Sequence, residues 1–160
     1  MNVLESFSLK GKVALVTGGA GLYGRQIVEA LAEAGAETYI ASRNLESLQD
    51  VAKEEVQRGY NVTAMKLDLS EDESIENLHH DIIEKSGKCD ILINNAVSRE
   101  FGSAGWKNTL DDFDKSLRIN ASALFKITQI FAEDMKKNNS GSIINIGSMM
   151  GTVGVENGNY

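Results

Sequence analysis

The sequence predicts a doubly wound α/β fold, a parallel sheet covered on both faces by helices in a three-layer αβα arrangement. Three observations predict it. Short runs rich in β-branched and long aliphatic residues alternate with amphipathic stretches of helical period, single glycines punctuate the helix-to-strand joints, and a glycine-rich turn directly follows the first strand. Parallel strands linked this way require right-handed crossovers, and ligands then lie beyond the C-terminal strand ends.

Lys12 to Val16 reads as the first strand, four apolar residues after a lysine. Ile27, Val28 and Leu31 recur at helical spacing, and Gly35 stands at the C′ position that ends this helix, where positive φ is needed. Glu37 to Ala41 is the second strand; Leu45, Leu48, Ala52 and Val56 mark the second helix, closed by Gly59. Val62 to Leu67 is the third strand. Ser70 with Glu73 forms a capping box opening a third helix, whose apolar face is Ile75, Leu78 and Ile82 and whose end is Gly87. His79 and His80 fall on its polar stretch and are expected in solvent. Asp90 to Ile93 is the fourth strand, and Thr109 with Asp112 resembles a second capping box. The helix after it, from about Asp111 to Lys137, carries Phe113, Leu117, Ala121, Leu124, Thr128, Phe131 and Met135 on one stripe. Ser142 to Ile146 is the fifth strand.

The 160 residues fit one domain, residues 1–160, since domains run to roughly 100–200 residues. Cys89 is the single cysteine, which excludes an internal disulfide, and no Cys or His stands near it in sequence, so no metal site is expected. Sixteen basic against 23 acidic residues give a net charge of −7, which argues against partners such as nucleic acid or an anionic membrane surface. The first dozen residues hold no apolar signal core, and no run approaches the ~18 apolar residues of a membrane span, so a cytoplasmic location is expected.

The run Thr17-Gly18-Gly19-Ala20-Gly21-Leu22-Tyr23-Gly24 follows the first strand and opens the first helix. Glycines there permit a tight turn and let backbone approach a pyrophosphate, while the helix N-terminus offers unpaired N–H groups and partial positive charge. Alone, such a run is also an ordinary strand-to-helix turn; its place in a βαβ unit gives it weight.

Four further segments stand in register with it: Asp68-Leu69 after strand three, Asn94-Asn95-Ala96-Val97 after strand four, Asn120 in the long helix, and Gly141 to Ser148 at strand five. Together the five motifs resemble the short-chain dehydrogenase/reductase family over essentially the whole chain. The resemblance implies a Rossmann-type domain whose dinucleotide lies on Gly18, Gly21, Leu22 and Tyr23, with Asp68 and Leu69 at the adenine and Asn95, Ala96 and Val97 along the adenosine half. The glycines at 18, 21 and 24 follow the spacing of the longer, sugar-nucleotide-modifying branch, whereas the shorter single-domain branch usually has glycine where Leu22 stands. The Asn-Asn-Ala motif points to the shorter branch, to which the chain is assigned.

Cofactor choice is expected at the end of strand two, where NAD enzymes place a carboxylate on the ribose 2′-hydroxyl. Here Ser42 carries no charge to repel a 2′-phosphate, and Arg43 offers a planar fork of donors. NADP is therefore the expected cofactor, with NAD possible; the alternative for Arg43 is a solvated residue at a helix start. Asn120 lies close to the apolar stripe, where a buried amide must be fully hydrogen-bonded, and the resemblance makes it the asparagine that holds a water in a proton relay. A satisfied structural asparagine is the other reading. Ser148, just after the fifth strand, sits where chemistry belongs in this architecture, its hydroxyl placed to donate to a substrate oxygen, or else to cap a local turn. Arg99, Glu100, Phe101, Trp106, Met149 and Met150 lie in segments that frame a substrate mouth or pack as loop.

The function so implied is an NAD(P)-dependent oxidoreductase interconverting an alcohol and a ketone by hydride transfer, on a small molecule such as a sugar or polyol derivative, in a homodimer or homotetramer. Two alternatives stand: a nucleotide-sugar epimerase or dehydratase, favoured by the glycine spacing, and a non-catalytic dinucleotide-binding module, favoured by the missing Tyr-x-x-x-Lys of the family. Tyr160 follows Ser148 by 12 residues, but Gly151 and Gly154 keep the family's register and put the tyrosine position just past the end, and residues 156–159 read as loop. The expectation is an N-terminal part of a longer enzyme, lacking the last strands, because a sheet ending at Ser142 to Ile146 leaves an unprotected aliphatic edge.

Overall fold

A computed structural model of the chain describes residues 2–99 and 107–148. After a short helix, α1 (Val3–Ser6), strands and helices alternate: β1 (Val13–Thr17), α2 (Leu22–Glu33), β2 (Glu37–Ser42), α3 (Leu45–Gln57), β3 (Val62–Lys66), α4 (Asp72–Ser86) and β4 (Ile91–Asn94). Then come α5 (Leu110–Leu117), a π turn (Arg118–Ala123), α6 (Leu124–Lys137) and β5 (Ser142–Asn145). The strands run parallel in the order β3-β2-β1-β4-β5. The chain steps outward from β1 to β3, then crosses to the other side of β1 for β4. That reversal opens a crevice at the C-terminal ends of β1 and β4, the place where ligands bind in such sheets.

The pleat distributes the core between two layers. Leu15, Tyr39 and Leu92 pack with Ile75, Leu78 and Ile82 of α4 and Ile127 and Phe131 of α6, while Val16, Ile40 and Ile93 pack with Val28 of α2 and Leu48 and Val51 of α3. Each fully buried side chain of this size stabilises the fold by ~1.5–3 kcal/mol, which is why the two apolar faces of β1 specify its central place. Gly87 ends α4 in the left-handed conformation, φ 72°, and Gly35 and Gly59 do the same after α2 and α3.

The structure corrects several sequence expectations. β1 and β4 each sit one residue later than expected: Lys12 and Asp90, which pair at 3.3 Å, stand just before the strands, and Thr17 and Asn94 complete them. Thr17 and Asn94 are buried yet hydrogen-bonded, a condition that a hydrophobic pattern does not register. The Ser70–Glu73 capping box does not form. α4 starts later, at Asp72, and Ser70 gives both its N–H (2.9 Å) and its hydroxyl (2.6 Å) to the Asp68 carboxylate, a stronger acceptor close in sequence. The Thr109–Asp112 box does form. The helix expected over residues 111–137 is interrupted by the π turn around Asn120. His80 is exposed as expected, whereas His79 is only half-exposed. Its Nε2 lies 2.6 Å from Asp134 Oδ2, and its ring meets Phe131 edge-on at 5.0 Å, joining α4 to α6.

Candidate functional site

The crevice floor is built by the two turns that leave β1 and β4. Thr17 Oγ1 accepts from the backbone N–H groups of Asn95 and Ala96, both at 3.0 Å, and the Asn95 carboxamide donates to the carbonyls of Thr17 (3.0 Å) and Gly18 (3.1 Å). Gly18 must be glycine twice over, with φ +70° and with Ala96 Cα only 3.0 Å from where a Cβ would stand. A Cβ at Gly24 would collide with the Gly18 carbonyl oxygen, so this glycine serves the packing of α2 on the turn. Gly21 differs. A Cβ there would meet only Gly18 O at 3.4 Å, so the protein's own packing does not demand glycine, and the bare position leaves room above the turn. The first turn of α2 carries no side-chain cap and no acidic residue, so its N–H groups and dipole are directed at that room. This donor set fits a dinucleotide pyrophosphate.

The ends of β2 and β3 form one flank. Ser42 closes β2 with its hydroxyl on Asn44 O at 3.3 Å, and Asn44 caps α3 by accepting from Ser47 N, which places exposed Arg43 between strand and helix. The Ser70 hydroxyl holds the Asp68 carboxyl below the usual carboxylate range, helped by the nearby charges of Arg43 and Lys66. A cation and a carboxylate thus stand together where the sequence places the adenosine end. Leu69 is half-buried against the core. Leu22, Tyr23 and Val97 are 90%, 75% and 59% exposed, apolar surface at the rim of the same crevice.

On the other flank, Asn94 donates to Thr128 Oγ1 (3.0 Å) and Asn145 Oδ1 (2.9 Å), joining β4, α6 and β5. Asn120 clasps the backbone of Ser98. Its Oδ1 accepts from Ser98 N at 2.8 Å, and its Nδ2 donates to Ser98 O at 2.9 Å and Ser116 Oγ at 3.1 Å. The side chain is therefore fully hydrogen-bonded and secures the segment after β4, the structural role that the sequence offered as its second reading. Ser148 is exposed, three residues beyond β5, and Arg99 is exposed as well. Glu100, Phe101, Trp106, Met149, Met150 and Tyr160 lie outside the described residues.

Cys89 is buried, which pushes its thiol up to about 12 and leaves it protonated and inert at neutral pH. Among the described residues no group of His, Cys, Asp or Glu could hold a metal ion, and no helix is long and apolar enough to cross a membrane. Sequence reasoning placed Thr17 and Asn94 within motifs but gave neither a role of its own, and it missed Ser98. Thr17 and Asn94 left a signal: each is a polar residue closing a strand that is otherwise apolar.

A family model described as short chain dehydrogenase matches residues 12–160. The 2-dehydro-3-deoxy-D-gluconate 5-dehydrogenase of Bacillus subtilis is 36% identical over 152 residues, 91% of this chain and 56% of that protein. A metagenomic short-chain oxidoreductase solved in complex with NADP superposes with a TM-score of 0.86 at 31% identity, covering 92% of this chain and 66% of that one. An NAD+-bound xylitol dehydrogenase gives 0.85 at 29% identity, over 93% and 57%. The chain thus spans a little over half the length of the curated relative.

Proposed function

The chain belongs to the short-chain dehydrogenase family, and on that premise we propose that it forms the cofactor-binding part of an oxidoreductase interconverting an alcohol and a ketone, with NADP(H) preferred over NAD(H). The observation that carries this reading is Gly21, bare without any packing need, above the uncapped N-terminus of α2. Uncharged Ser42 and exposed Arg43 at the end of β2 support the preference, since a guanidinium suits a 2′-phosphate and the strand itself ends on a hydroxyl in place of a carboxylate. The pyrophosphate would rest on Gly18, Gly21, Leu22 and Tyr23, the adenine against Asp68 and Leu69, and the adenosine ribose along Asn95, Ala96 and Val97. A bound nicotinamide supplies the hydride chemistry. Ser148 donates a hydrogen bond to the substrate oxygen on which charge develops, and Asn120 holds the segment at Ser98 that borders the reacting region.

The relatives named for a sugar acid and for xylitol support a sugar or polyol derivative as substrate. Assembly as a homodimer or homotetramer belongs to the same reading, and the exposed apolar residues Leu110, Leu117 and Phe125 on α5 and α6 support it.

Fluorescence titration of the wild-type chain and Arg43→Ala with NADPH and NADH tests the proposal. NADPH is expected to bind more tightly, and the substitution to weaken NADPH alone by about tenfold or more, the loss of one charge-assisted hydrogen bond. Equal weakening of both cofactors removes Arg43 from the 2′-phosphate. Tight NAD binding with conversion of a nucleotide sugar, and no net change in NAD(P)H absorbance, would replace the dehydrogenase reading with an epimerase or dehydratase.

A further inference from the structure

We infer that Arg118 is a positioning residue that ties the Asp68 turn to the π turn bearing Asn120, so that the two ends of the crevice hold a fixed spacing; the inference rests on the cofactor-groove reading above. The Arg118 guanidinium makes two bonds at once, Nε to the Ser70 carbonyl oxygen at 3.1 Å and Nη2 to Asp72 Oδ1 at 2.5 Å. Ser70 is in turn held to Asp68 through its own N–H and hydroxyl. Two residues beyond Arg118, Asn120 clasps the backbone of Ser98 on both its N–H and its carbonyl. The path from Asp68 through Ser70, Arg118 and Asn120 to Ser98 therefore crosses the molecule from the proposed adenine contact to the segment after β4.

The π turn gives this link its purpose. A π turn replaces the regular i→i−4 bonds with i→i−5 bonds, and such turns are frequent at functional sites. Here two cations bracket it, both directed at the first turns of α4: Arg118 at its start, and Lys126 just after it, on Glu76 Oε1 at 2.6 Å and Asp72 Oδ2 at 3.5 Å. The Arg118 guanidinium also holds the Asp72 carboxyl below the usual range. Of the two brackets, only Arg118 reaches the backbone of the Asp68 turn. Its planar fork meets a carbonyl and a carboxylate together, a geometry that one ammonium group does not reproduce. Ion pairs this exposed contribute little to global stability, so the role is one of register, and it is separable by experiment from folding.

The test compares wild type, Arg118→Gln, Arg118→Lys and Lys126→Gln in this chain by amide hydrogen exchange at Ser98 N–H without cofactor, NADPH titration, and thermal melting. Arg118→Gln and Arg118→Lys are expected to speed exchange at Ser98 and to weaken NADPH by about fivefold, the low end of coupling between linked sites. Lys126→Gln should lower the melting temperature as much as Arg118→Gln and leave both other readouts at wild-type values. Should Arg118→Gln not fold, Asp72→Asn cuts the same fork from its other side, with Lys126→Gln as the control for the contact that Asp72 also makes to Lys126. Unchanged Ser98 exchange in the Arg118 variants, or full rescue by lysine, overturns the inference. A wild-type chain that binds neither NADPH nor NADH overturns the functional reading instead, and exchange at Ser98 still decides the link.

Discussion

Asn95 and Thr17 hold each other reciprocally: the Thr17 hydroxyl accepts from the Asn95 backbone N–H at 3.0 Å, and the Asn95 carboxamide returns a bond to the Thr17 carbonyl, also at 3.0 Å. The pair spans the gap between the ends of β1 and β4 where the chain changes direction, so the crevice floor is one hydrogen-bonded unit. Thr17 is 2% exposed, so its hydroxyl is shielded from bulk solvent.

Thr17→Val keeps the shape of the side chain and leaves two N–H groups, those of Asn95 and Ala96, without their acceptor. Each unsatisfied donor costs roughly 1–3 kcal/mol, so the variant should lose about 2–4 kcal/mol in urea unfolding, while Thr17→Ser stays within about 1 kcal/mol of wild type. Equal stability of the valine variant would show that the two amides find other partners.

Gly21→Ala and Gly24→Ala should fail in different ways. The added methyl at Gly24 strikes the Gly18 carbonyl oxygen, so the protein should be strongly destabilised, by about 3 kcal/mol or more, and bind cofactor poorly as a consequence. At Gly21 the methyl has an ordinary 3.4 Å contact, so the melting temperature should hold while NADPH affinity drops about tenfold or more. Paired melting and titration curves check both, and unchanged affinity in Gly21→Ala would remove the pyrophosphate from that turn.

In an active enzyme carrying this chain, Ser148→Ala should lower kcat by about 10²–10³ with cofactor affinity unchanged, the usual effect of removing one donor to a developing oxyanion. Steady-state kinetics beside NADPH titration separate the two effects.

Stability should fall as the solution is acidified below about pH 4. The Lys137 ammonium and the His79 ring hold the Asp134 carboxyl below its usual range, as Ser70 does for Asp68 and Thr109 for Asp112. A carboxyl with a depressed folded-state pKa binds its proton more readily when unfolded, so its stabilisation is present above ~3.9 and disappears as pH drops through the folded value. Urea midpoints measured from pH 6 to pH 3 should decline, and Asp134→Asn should lie below wild type at pH 6 and approach it at pH 3.

The sequence by itself determined the alternation of strands and helices, the glycines that end α2, α3 and α4, the Thr109 capping box and the glycine turn after β1, all local properties fixed by side-chain period and φ. It also carried the five motifs that identify the family. Only the tertiary structure decided what the polar residues do. Thr17 and Asn94 can be buried at their strand ends because the side chains find partners in Asn95, Ala96, Thr128 and Asn145, residues far from them in sequence. Asn120 clasps Ser98 because the helix opens into a π turn held against α4 by Arg118, and no helical period encodes that bond. His79 is partly withdrawn from solvent because α6 presents Asp134 and Phe131 to it. Hydrophobic pattern reports which residues avoid water, whereas a buried polar group is fixed by whichever donor or acceptor the fold carries to within about 3 Å, and that distance exists only once the layers have packed.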